Sequence, residues 1–120
     1  MLRQMLRAKL HRATVTEADL SYEGSLTIDK NLMDAVGIVP FERVHIYNIN
    51  NGERFDTYAI VGTPGTGVIG LNGAAARKGM VGDQVIICTY GFSTDEDTAT
   101  YQPAIVLLDE RNTIKARLAI

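Results

Sequence analysis

A chain of 120 residues, 46% hydrophobic and 22% charged, has the size and make-up of one soluble domain with a real core. Its 12 basic and 14 acidic residues leave a net charge of −2, which argues against a nucleic-acid or anionic-membrane partner. One cysteine and two histidines supply neither a disulfide framework nor a zinc-ligand spacing, and no apolar run approaches the roughly 20 residues of a membrane span. A cytoplasmic protein without a metal is expected.

Residues 1–15 alternate as Leu6, Ala8 and Leu10 against Arg7, Lys9 and His11. Leu2, Met5, Leu6 and Leu10 also fit a helical stripe, but the Thr14-Val15-Thr16 ending favours a strand, with Lys9 and His11 on one face. Thr16 to Leu20 is predicted to form a short turn of helix capped by Thr16. Tyr22-Glu23-Gly24-Ser25 then leads into a short strand, Ser25 to Asp29. The plainest reading of Gly24-Ser25 is turn chemistry. The dipeptide also allows the Ser25 hydroxyl to attack the Gly24 carbonyl, because glycine tolerates the strained backbone this approach demands. That attack turns the amide into an ester. Elimination then leaves dehydroalanine at residue 25, and its hydrolysis leaves a pyruvoyl ketone at a new N-terminus. Asp29 to Gly37 reads as a two-turn helix, begun by Asp29 and closed by Gly37.

Val44 to Ile49 and Arg54 to Val61 flank Asn50-Asn51-Gly52, a strong hairpin signal. On the second strand Arg54 and Tyr58 fall on one face, and Phe55, Thr57 and Ala59 on the other. The loop Gly62 to Gly67 holds three glycines but lacks a lysine in P-loop register and an ensuing helix, so no phosphate site is assigned to it. Asn72 to Gly79 is predicted to be a short helix capped by Asn72. Its alanines offer a bare N-terminus for a carboxylate, or simply connect two strands. Gln84 to Tyr90 is a strand in which Cys88 reads as a small buried hydrophobe. Thr94 to Asp97 is a solvated acidic loop. Pro103 to Leu108 is a core strand, and Asn112-Thr113 turns the chain into a last short strand ending at Leu118. Several short strands with one- or two-turn helices predict a small closed barrel.

Together these segments resemble the aspartate 1-decarboxylase family, pyruvoyl enzymes that make β-alanine for pantothenate synthesis. The resemblance rests on Met5-Leu6 with Ala8 to Ala13, Val15 to Leu20, and Tyr22-Glu23-Gly24-Ser25 with Thr27-Ile28-Asp29. It continues through Asn51 to Phe55 with Thr57-Tyr58, and through Leu71 to Ala76. Asp56 and Thr66 are mild departures. The resemblance implies a mainly β fold, a six-stranded double-psi β-barrel with short helices. It also implies a homotetramer with sites between subunits, and self-cleavage into a β chain, 1–24, and an α chain, 25–120. The implied cofactor is the pyruvoyl group derived from Ser25, an electron sink that takes the amine of L-aspartate as a Schiff base.

By the same resemblance Lys9 and Arg54 bind substrate, Arg54 through its carboxylate, and Thr57, Gly73, Ala74 and Ala75 contact it as well. Tyr58 matches the proton donor, a role open to a neutral phenol. Gly24, Ser25, Thr57 and Asn72 match the processing residues. Tyr22 is a support or a strand aromatic packed in the barrel, and His11 a structural hydrogen-bonder. Regular alternation puts Thr57 and Tyr58 on opposite faces, which calls for a bulge or for a site shared across a subunit boundary. The sequence leaves open whether a maturation factor assists cleavage. Two competing readings are an N-terminal-nucleophile hydrolase and a non-catalytic barrel used as a binding module. The small size without an α/β layer pattern counts against the first. The acidic balance, and the pairing of Gly24-Ser25 with Arg54 to Tyr58, count against the second.

Overall fold

A computed structural model describes residues 1–118; the predicted domain runs to residue 120, and residues 119 and 120 lie outside the described residues. Among these there are nine strands: β1 (Leu2–Thr14), β2 (Glu17–Asp19), β3 (Ser25–Asp29), β4 (Arg43–Asn48), β5 (Arg54–Gly62), β6 (Ile69–Asn72), β7 (Gln84–Thr94), β8 (Ala104–Leu108) and β9 (Ile114–Leu118). Two short helices, α1 (Lys30–Val36) and α2 (Asp95–Thr98), and a 3-10 turn over Gly73–Arg77 complete the set. The fold is mainly β, as expected, but the strand count is nine and not six. Short edge strands account for part of the excess, since β2 and β9 stand at the two ends of the order β2-β6-β3-β5-β4-β7-β1-β8-β9.

Alternation along the long strands drives one side of this sheet into a single core. Leu10, Leu26, Ile28, Ile46, Ile69, Leu71 and Ile87 are all fully buried there. The sheet rolls up because the end of β1 returns to β6. Thr16 donates its N–H to the Ile69 carbonyl at 2.8 Å, and the Thr16 hydroxyl accepts from the Ile69 N–H at 2.9 Å. These bonds replace the predicted helix cap at Thr16. The following residues form β2, paired in parallel with β6.

Two polar side chains close the other end. Asp29 is 3% exposed and caps α1 through the Asn31 N–H at 2.8 Å, and it also accepts from the Gly65 and Gly67 N–H groups at 3.1 and 2.8 Å. The glycine-rich loop therefore cradles the protein's own carboxylate. Asn112, with φ +61°, accepts from the Thr14 N–H at 2.7 Å and donates to the carbonyls of Thr14 and Gly67 at 2.8 and 2.7 Å. Gly37 ends α1 at φ +76°, as predicted.

Other expectations shift. The acidic stretch after Thr94 is a single helical turn, with the Thr94 hydroxyl accepting from the Asp97 N–H and Asp95 paired to Arg3 at 2.6 Å. Acidic residues suit a helix N-terminus, and the pair anchors that turn to β1. Strand β7 runs four residues beyond Tyr90 because Leu2 to Met5 of β1 pair with it. Among the described residues no helix is long and apolar enough to cross a membrane.

Asn112→Ala is expected to lower stability by about 2–4 kcal/mol, because it strands buried backbone groups on β1 and the glycine loop. Urea unfolding at fixed protein concentration measures it; a loss within about 0.5 kcal/mol would show that the closure does not depend on this side chain.

Candidate active site

Register places the Gly24-Ser25 junction. Strands β3 and β6 pair antiparallel with Ser25 opposite Asn72, so the two side chains start on the same face. Ser25 is 1% exposed, whereas Gly24 beside it is exposed. The Asn72 amide donates to the Ser25 hydroxyl at 2.9 Å and to the Thr27 hydroxyl at 2.8 Å. The Ser25 hydroxyl itself donates to the Glu23 carbonyl at 3.3 Å. Neither partner is a base, so the arrangement orients the hydroxyl and does not deprotonate it.

The residue after Asn72 holds the other half of the junction. Gly73 lies at φ +64°, and a Cβ there would come within 2.8 Å of the Gly24 Cα, the Gly24 nitrogen and the Tyr22 carbonyl oxygen. Only glycine combines that dihedral with so close an approach. The predicted Asn72 cap is absent: its amide is committed to Ser25 and Thr27, and the alanine stretch is a five-residue 3-10 turn. Gly24, Thr57, Ala74 and Ala75 line one cleft of about 180 Å³, with Phe55, Asp56 and Lys78 completing its wall.

Lys9, Arg54 and Tyr58 stand elsewhere. Strands β4 and β5 pair without a register break from Arg43–Tyr58 to Tyr47–Arg54, so there is no bulge, and Thr57 faces away from Tyr58. Arg54 and Tyr58 lie on the outward face of the sheet. Lys9 joins them through the row Lys9–Cys88–His45, three strand spacings or about 14 Å from β5. Both cations act on Cys88: burial pushes its thiol up, and Lys9 and Arg54 pull it the other way. Arg43 and Lys78 pair with Asp56 and Glu53 at 2.9 and 3.0 Å, while Lys9 and Arg54 form no ion pair among the described residues. The guanidinium of Arg54 instead lies 3.9 Å over the ring of Tyr47.

One chain therefore brings together Gly24, Ser25, Thr57, Asn72, Gly73, Ala74 and Ala75 in one group, and Lys9, Arg54 and Tyr58 in another. Tyr22 is 54% exposed in the turn before Gly24, so it is not packed inside the barrel. The Nδ1 of His11 is buried without a hydrogen-bond partner, against the expectation of a structural hydrogen-bonder. Sequence reasoning missed Tyr47 and Tyr90. The hairpin register, once fixed by Asn51-Gly52, already sets Tyr47 opposite Arg54.

Comparison with known proteins agrees over nearly the whole chain. The family model for aspartate decarboxylase matches residues 1–115. The aspartate 1-decarboxylase of Desulfotalea psychrophila is 61% identical over 115 residues, covering 96% of this chain and 97% of that protein. The enzymes of the same name from Cupriavidus taiwanensis and Ralstonia pickettii are each 60% identical, covering 96% and 97% of this chain and equal shares of their own.

Burial of His11, with Lys9 and Arg12 nearby, lowers its pKa from the usual 6.5. The unfolded chain takes up that proton first, so this residue costs stability as pH falls from 6.5 through the lower folded value. The His11 ring is expected to titrate below 6.5 by NMR; a midpoint at or above 6.5 would contradict the assigned environment.

Proposed function

The chain belongs to the aspartate decarboxylase family and is a decarboxylase, and from that premise we propose that it converts L-aspartate to β-alanine and CO2 with a pyruvoyl group made from its own Ser25. The β-alanine serves pantothenate and coenzyme A synthesis. The observation that carries this reading is the junction itself. A buried serine hydroxyl is oriented by Asn72 beside an exposed glycine whose backbone is pressed into place by Gly73.

Maturation begins when the Ser25 oxygen bonds to the Gly24 carbonyl carbon, the C–N bond breaks, and the nitrogen keeps the pair as an amine. Loss of the Ser25 Cα proton then expels Gly24 as a carboxylate and leaves a double bond to Cβ. Tautomerisation and one water release ammonia and leave the ketone. Asn72 orients the nucleophile throughout, and the Thr57 hydroxyl hydrogen-bonds the Gly24 carbonyl, a role supported by the cleft that the two residues share. The residues around Ser25 fit such a group. A Cβ built on Gly24 meets nothing within 4 Å, so the junction has room to rearrange, and cleavage there yields chains 1–24 and 25–120.

In place, the pyruvoyl group supplies the electron sink for the charge left when CO2 departs. The rest falls to the chain's own side chains. Arg54, with Lys9, holds the carboxylate that stays, while Thr57 and the Gly73-Ala74-Ala75 backbone receive the reacting end. Tyr58 delivers the proton to the former Cα. The departing carboxylate sits away from cations, since pairing it would stabilise the ground state more than the transition state. Arg54 and Tyr58 face away from Thr57 on a regular strand, so one site draws its two halves from two copies of the chain in a homotetramer. Exposed Val39, Phe41 and Tyr58 beside Arg43 offer an apolar surface suited to that contact.

Ser25→Ala is expected to remain a single chain without decarboxylase activity; aspartate turnover at the parental rate by this variant would refute the proposal. Charge-assisted hydrogen bonds contribute about 1.5–3 kcal/mol, so fully processed Arg54→Ala should lose about 10- to 150-fold in kcat/KM for aspartate. Near-normal turnover at low aspartate would remove Arg54 from the site.

A further inference from the structure

The outward face of β4, β5 and β7 carries a chain of contacts that ends on Arg54. The hydroxyls of Tyr47 and Tyr90 are 2.6 Å apart. The ring of Tyr47 is the surface on which the Arg54 guanidinium lies, 3.9 Å from the centroid. Tyr90 is fixed in turn. It packs edge-on against His45 with centroids 5.1 Å apart and planes at 80°, and it is half-buried. Burial first, and the Tyr47 hydroxyl second, push the Tyr90 phenol far above its usual range, so it stays neutral although Lys9 and Arg54 share its face.

An arginine on an exposed strand has rotamer freedom to lose when it binds a carboxylate. A ring beneath the guanidinium reduces that loss only if the ring itself is held. The Tyr47 ring is held at its far end by the Tyr90 hydroxyl, from a strand more than thirty residues away in sequence.

We infer that Tyr90 is a positioning residue for Arg54: its hydroxyl fixes the Tyr47 ring, and the ring fixes the guanidinium that receives the carboxylate retained by the substrate. This rests on the proposed reading of Arg54 as the carboxylate anchor. The retained carboxylate is bound alike before and during the reaction, so the contribution falls on binding and not on the chemical step.

Tyr90→Phe keeps the ring and removes only the hydroxyl. In the processed enzyme it is expected to raise KM for aspartate about 3- to 10-fold, the worth of one hydrogen bond. Its kcat should stay within about twofold, because no interaction confined to the transition state is lost. Succinate, a dicarboxylate without the amine, should bind more weakly by the same factor in calorimetry, a readout independent of turnover. Tyr47→Phe should reproduce these changes, and the double variant should be no worse than either single one. Unchanged KM and succinate binding in Tyr90→Phe, with both weakened in Arg54→Ala, would overturn the positioning role alone, as would a fall in kcat at constant KM. Unchanged binding in Arg54→Ala would overturn the reading of Arg54 instead.

Discussion

A side-chain amide bonded to a serine hydroxyl is the contact on which this structure turns. Asn72 reaches Ser25 at 2.9 Å because β3 and β6 pair in a register that sets the two residues opposite each other. That register is itself tied to the rest of the barrel. Strand β6 is bonded to the end of β1 through Thr16 and Ile69, and β3 begins and ends in buried residues. A shift of one residue would turn Ser25 into the core and bring Leu26 onto the face it now shares with Asn72. The same shift would carry Gly73 away from Gly24. The geometry of the Gly24-Ser25 junction is thus an outcome of strand pairing, with Gly73 in the left-handed region as the local condition that lets the backbones meet.

Strand β5 divides the chemistry. Its alternation is unbroken from Arg54 to Tyr58, so Thr57 joins Gly24 in one cleft while Arg54 and Tyr58 look outward with Lys9. In the proposed enzyme such a strand serves a single site only if a second chain supplies what the first turns away. The division has an energetic logic. Lys9 and Arg54 have no acidic partner among the described residues, and the Tyr47 ring covers Arg54 without neutralising it. A guanidinium left uncommitted in this way keeps its donors for an incoming carboxylate.

Much of this was legible in the sequence, and the failures share a cause. Strands β3, β4, β5 and β8, helix α1 with its Asp29 cap and Gly37 stop, and the Asn51-Gly52 hairpin all follow from local pattern. Thr16 and Asn72 read from the sequence as helix caps because that is their commonest local use. Both instead give their side chains to partners more than forty residues away, Ile69 and Ser25 respectively, which no window along the chain reveals. The glycines of residues 62–67 gave the same lesson in reverse. Their N–H groups do surround an anion, but the anion is Asp29 of the same chain. The two faces of β5 were visible from alternation alone. The Tyr47–Tyr90 pair was not, because it depends on β7 lying beside β4.

The central claim is that the chain is cut by rearrangement at Gly24-Ser25 and not by simple hydrolysis, and mass balance distinguishes the two. Intact masses of the precursor and of both fragments should be measured on the same preparation as cleavage proceeds. Rearrangement predicts that the fragments together exceed the precursor only by the small difference between one water taken up and one ammonia released. Fragments that together exceed it by a whole water, with a free serine amine at residue 25, would contradict the account.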